Sequence, residues 1–155
     1  MPWGNGNIYQ AARKAAGLTQ EAAAERLAVS DTSMRAYETG QRLPGDDVVE
    51  RMCAVYGVQY LGLQHIQRKN SLLPRCIQEA HPEPLETATI KLVNRTMAFA
   101  REHRNDELLK IAEDGVIDEK ERPYFEDVMR ELDGIVQAAL ALLYAEEVQV
   151  CRERS

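Results

Sequence analysis

Apolar positions recur at three- and four-residue intervals through most of this chain, the signature of amphipathic helices rather than strands. Ile8, Ala11, Ala12 and Ala15 share one helical face, and Gly17 suits the end of that helix. Thr19 fits the N-cap of a second helix over 20–27, with Ala23, Ala24 and Leu27 inward. Ser30 fits the cap of a third, in which Met34 and Tyr37 face the core and Gly40 closes the end. "RLPGDD" reads as a loop, with Asp46 or Asp47 capping a fourth helix that carries Val48, Val49, Met52 and Tyr56 inward and stops at Gly57. A fifth, over 59–68, has Leu61 and Leu63 or His65 and Ile66 on its faces. No period-two stretch competes.

The pattern lapses in "KNSLLPRCIQEAHPEP", where Pro74, Pro82 and Pro84 disfavour a helix interior, so 70–83 reads as a linker holding at most a short helix. Beyond it, Ile90, Val93, Met97 and Ala100 form a stripe on a helix over 85–103, and 107–112 gives a short apolar turn or helix. One long helix follows over 123–150, about 42 Å at 1.5 Å per residue. Phe125, Val128, Met129, Leu132, Ile135, Val136, Ala139, Leu142, Leu143 and Val148 run down its length. Its end, "IVQAALALLYAEEV", is apolar over more of its circumference than one packed face requires. It is either clasped by the 85–103 helix of its own chain or shared between two chains. The fold class is therefore all-α, with a five-helix domain over 5–69, a linker over 70–83 and a helical region over 84–150.

Charge sharpens this division. Residues 1–69 carry eight Lys/Arg against seven acids, whereas 70–155 carry eleven against eighteen, within a total of −6. Only the first part can approach a polyanion. The three cysteines (Cys53, Cys76, Cys151) lack CxxC spacing and the three histidines (His65, His81, His103) are scattered, so no zinc site and no metal or other cofactor is expected. "KIAEDGVIDEKE" matches a calcium loop at Gly115, Ile117 and Glu121, but its first and third ligand positions are Lys110 and Ala112. The same letters make Asp118 and Glu121 a helix capping box. No Gly-rich phosphate loop, nucleophile elbow or Cys/His constellation points to an enzyme. No stretch approaches the ~20 apolar residues of a membrane span, and "MPWGNGN" is unlike a signal peptide, so a cytoplasmic location is expected.

Four segments in register resemble the helix-turn-helix domain of the phage repressor and Cro (XRE) family over about residues 8–68. They are "GLTQEAAAERLAVS" for the second helix and turn, "MRAYETG" for the end of the recognition helix, "QRLP" for the next loop and "DDVVERMCAVYGV" for the fourth helix. The small Ala24 would let the third helix pack close, and Val29 would plug the turn. The resemblance implies that Gln20 meets a backbone phosphate and that Asp31, Thr32 and Ala36 stand where base edges are read. Ser33, Arg35, Gln41 and Arg42 would meet phosphates or flanking bases. It also implies a buried ion pair between Arg13 and Glu38. Two departures stand out. Ala28 occupies a turn position that is usually glycine, a strain of roughly 1 kcal/mol if the backbone there is left-handed. Asp31 can only accept, so it either reads a cytosine amino group or caps its own helix.

The acidic helical region after the linker is loosely similar to the tails of bacterial regulators of this type. The expectation is a sequence-specific regulator, a repressor of bacterial or phage type, that binds double-stranded DNA as a homodimer. The dimer would form through Leu132, Ile135, Val136, Ala139, Leu142 and Leu143. The alternative is a protein-interaction module, an adaptor or antitoxin-like partner, whose helix-turn-helix no longer holds DNA.

Overall fold

Side-chain caps open the first three helices of the computed structural model, which describes residues 7–146. The outer edges of the expected domains, with Val148, Val150 and Cys151, lie outside the described residues. Of those described, 7–72 belong to one compact unit and 73–146 to a second. All of the regular structure among them is helical.

The first unit contains α1 (Ile8–Ala15), α2 (Gln20–Leu27), α3 (Asp31–Glu38), α4 (Asp46–Tyr56) and α5 (Tyr60–Lys69). Asn7, Thr19 and Ser30 accept backbone N–H bonds at the starts of α1, α2 and α3, satisfying donors that have no partner within the helix. Asp46 and Asp47 do not cap α4, contrary to the sequence expectation. Gly45 is the N-cap with no side-chain bond, Asp47 pairs with Arg51, and Asp46 turns to His65 and Lys69. Tyr9, Leu27, Met34, Met52 and Leu61 are the large side chains fully removed from water, each contributing about 1.5–3 kcal/mol of hydrophobic stabilisation. Ala23 and Ala24 are buried where α2 meets α3 and α4.

The second unit contains α6 (Arg75–Gln78), α7 (Leu85–Arg101), α8 (Arg104–Ile111) and α9 (Arg122–Leu143). Residues 73–83 are built into this unit rather than strung out as a free linker. Helix α6 packs on α9, and Cys76, Ala80 and Pro82 are buried. The helix expected over 85–103 ends at Arg101, because His103 takes the left-handed backbone (φ 57°) that separates α7 from α8. Asp118 and Glu121 bond reciprocally in the turn before α9, Glu121 N–H donating to Asp118 Oδ1 at 2.8 Å and Asp118 N–H to Glu121 Oε2 at 3.2 Å, but the N-cap of α9 is Glu121 rather than the expected Asp118.

Helix α9, 22 residues or about 33 Å long, is clasped by α6, α7 and α8. This accounts for its apolar girth except along Val136, Ala139 and Leu143, which stay exposed. Its buried residues are Val128, Gly134, Ala138 and Ala141. The face that α7 turns to α9 is not the one the sequence suggests. Ala88 is buried, with Leu92 and Phe99 half-buried along the same edge, whereas Ile90, Val93, Met97 and Ala100 are exposed. Burial on α7 therefore follows its packing on α9 and α8 rather than the count of apolar residues along one face.

Candidate nucleic-acid interface

The second and third helices are joined by a turn in which Ala28 adopts the left-handed conformation, φ 53° and ψ 45°. Its N–H bonds to carbonyls of Ala24 and Glu25, and Val29 N–H returns to Ala24 O at 3.0 Å. This sets α3 against α2 with Met34, Tyr37 and Glu38 inward. Thr32 and Ala36, one turn apart, stand opposite that buried edge. Asp31 and Arg35 flank them on one side and Ser33 on the other.

Asp31, Thr32, Arg35, Gln41 and Arg42 are exposed, and Ser33 and Ala36 half-buried. Asp31 does not cap the helix, since Ser30 Oγ takes that bond from Ser33 N–H at 3.1 Å. Its carboxylate, one residue inside the N-terminus, gains only the favourable end of the helix dipole. Arg35 has no side-chain partner among the described residues and points its charge outward beside Thr32. Arg42 is fastened instead. Its guanidinium lies 4.9 Å from the Tyr37 ring centroid and donates to Tyr37 Oη and Ser33 Oγ, both at 2.9 Å. Nothing local in the sequence marks Tyr37 as the group that aims this arginine, because their meeting depends on the path of the loop after α3.

Beneath the face, Arg13 and Glu38 form a bidentate pair, Nε to Oε1 at 2.5 Å and Nη2 to Oε2 at 2.9 Å, with Glu38 nearly sealed from water. Arg13 Nη1 also donates to Leu18 O at 2.6 Å. Gln20 donates to Glu38 Oε2 at 3.0 Å and Gln10 to the same oxygen at 3.4 Å. Burial alone would raise the Glu38 pKa, but the Arg13 hydrogen bonds and charge, helped by Gln20 and Gln10, hold it below the usual carboxylate value. The Gln20 amide is thus oriented by the same acid that anchors α3.

The remaining expected residues fall elsewhere. Leu132, Ile135 and Leu142 are half-buried within the second unit, while Val136, Ala139 and Leu143 are exposed along one side of α9. Among the described residues, no three His, Cys, Asp or Glu side chains converge as metal ligands, and no helix is long and apolar enough to cross a membrane.

Residues 10–61 match the family described as "Helix-turn-helix domain". The chain is also 32% identical over 94 residues to the HTH-type transcriptional regulator ImmR of Bacillus subtilis (strain 168), an alignment covering 57% of this chain and 74% of that protein. No solved structure gives a match. With that relative spanned over most of its length and the turn geometry above, the chain belongs to the phage-repressor-like (XRE) family of helix-turn-helix DNA-binding transcriptional regulators.

Proposed function

We propose that the chain is a sequence-specific repressor that holds its operator as a homodimer, with residues 5–69 reading DNA and 84–150 joining two copies. The observation that carries this reading is the open outer face of α3. Thr32 and Ala36 are small enough to let the helix sink into a major groove, between outward Arg35 and the fastened Arg42. Such a face offers few cations, and phosphate neutralisation supplies most non-specific affinity. Two copies on one DNA make up the deficit. The side of α9 bearing Val136, Ala139 and Leu143 is the apolar surface that supports this pairing, with Leu132 along it and Ile135 and Leu142 at its edge.

Selection of genomic fragments with the purified full chain tests the proposal. Enrichment of a two-fold symmetric site, with halves about one helical turn or a multiple apart, is the expected result. Fragments retained without any shared sequence would overturn its sequence specificity, and no retention at low salt would leave a protein-interaction module.

A further inference from the structure

We infer that the second unit binds a small organic anion, and that Arg95 is the group that grips it. A cleft of about 250 Å³ opens between α7, α9 and the segment after α6. Its apolar floor is Ala138 and Ala141 on α9 with Ala80 opposite. At roughly 30 Å³ for each water in the liquid, the volume suits a metabolite of about ten non-hydrogen atoms, smaller than a drug-sized ligand.

The charged groups around this floor are matched, with one exception. Glu79 is paired by Arg75 at 2.7 Å. Glu83, whose side chain is largely buried, is held by Lys91 Nζ at 2.7 Å, with His81 Nε2 at 3.7 Å. His81 is itself fixed, its Nδ1 lying 2.9 Å from Glu79 O. Arg95, an exposed residue, lines the same cleft and has no hydrogen-bond or ion-pair partner among the described residues. The cleft therefore carries one uncompensated positive charge, on the side chain best shaped for a bidentate grip on a carboxylate or phosphate.

Gly134 gives this placement a second, independent support. It is buried in the interior of α9, where glycine is disfavoured relative to alanine. A Cβ built there would lie 1.7 Å from Arg95 Nη1 and 2.9 Å from its Cζ. The glycine thus makes the seat on which the guanidinium rests, with the Gln137 amide beside it to contact the body of the ligand. The ligand class is a small molecule with an anionic head, carboxylate or phosphate, and a compact apolar or amide-bearing body.

The test is calorimetric titration of the full chain with succinate and, separately, inorganic phosphate, up to about 10 mM. Saturable one-to-one binding of either probe is expected, and the tighter of the two identifies the head group. R95Q should weaken it by about tenfold, and R95K, which keeps the charge but loses the fork, should fall between. G134A should weaken it similarly by displacing the guanidinium, with helicity checked by circular dichroism. Absence of saturable binding by both probes, or binding unchanged in R95Q, would overturn the inference. Should G134A fail to fold, the two Arg95 variants still decide the matter.

Discussion

The hydroxyl of Tyr9 on α1 lies 2.8 Å from His65 Nδ1 on α5, and the other ring nitrogen of His65 lies 3.0 Å from Asp46 Oδ1 on α4. A proton on Nε2 satisfies both contacts, with the Tyr9 O–H donating to Nδ1 and His65 donating to Asp46. Lys69 completes the chain, 2.5 Å from the same Asp46 oxygen. One polar thread therefore ties three helices of the first unit, its inner half buried. Removing the Tyr9 hydroxyl would leave a buried ring nitrogen unpaired. Tyr9→Phe should cost about 1–3 kcal/mol in denaturant unfolding. Tyr56 gives the contrast. Its hydroxyl is buried with no hydrogen-bond partner among the described residues, and burial next to Glu38 pushes its pKa up to about 12. Tyr56→Phe should be neutral or slightly stabilising, and equal losses for both variants would refute this account of the core.

Arg13 and Glu38 predict a pH dependence with a definite sign. The folded pKa of Glu38 is below its ordinary 4.5, so its contribution is fully present above that value. It is lost as the pH falls from about 4.5 through the lower, folded value. Glu38→Gln should be less stable at neutral pH and show a flatter decline in that window. Arg13→Ala should cost roughly 3 kcal/mol, since it strands a buried carboxylate. Urea midpoints measured from pH 7 to pH 3 check both; parallel curves for the wild type and Glu38→Gln would contradict the assignment.

At Ala28 the left-handed backbone stores strain that glycine would release. Ala28→Gly should stabilise the protein by about 0.5–1 kcal/mol, after allowing for the greater freedom of glycine in the unfolded chain. The same change at Ala22, inside α2, should destabilise by about 1 kcal/mol. A loss of thermal stability at both positions would argue against strain in the turn.

On the exposed face of α3 and the loop after it, Arg35 and Arg42 differ in how they are held. Both Arg35→Ala and Arg42→Ala should weaken DNA retention, each reducing the slope of log affinity against log salt by about one unit. Tyr37→Phe should produce part of the Arg42 effect without removing a charge, because Tyr37 Oη fixes that guanidinium. Asp31→Asn should tighten non-specific binding by removing a repelling charge. Gel shifts over a salt series measure all four, and unchanged retention in both arginine variants would defeat the DNA-reading role of this face.

Much of the first unit was legible in the sequence because short-range chemistry determines it. Thr19 and Ser30 cap where their letters suggest, and Gly17, Gly40 and Gly57 take positive φ at helix ends. What could not be read was long-range. His65 meets Tyr9 across 56 positions and Asp46 across 19, and nothing local in the sequence marks either pairing. The second unit was harder for a different reason. Counting apolar residues favoured the Ile90–Val93–Met97 side of α7, but the buried edge is that of Ala88, with Leu92 and Phe99 half-buried. Periodicity finds an amphipathic face; it does not say which face a neighbour can accommodate.

That distinction governs the final prediction, which concerns assembly. Adjacent leucines near the end of α9 sit in different surroundings: Leu142 is half-buried within its own unit, whereas Leu143 is 68% exposed. If Val136, Ala139 and Leu143 form the contact between two copies, Leu143→Glu should yield monomers that keep their helicity and thermal transition but lose specific DNA binding. Leu142→Glu should instead lower the stability of the second unit, because a charge enters partly dehydrated space. Met97→Glu, on the outward side of α7, should leave the dimer intact, and dissociation by that variant would move the interface to α7. Sedimentation velocity at micromolar concentration separates these outcomes. An unmodified chain that sediments as a monomer there would leave each recognition helix alone on its DNA, with Arg35 and Arg42 too few to hold it.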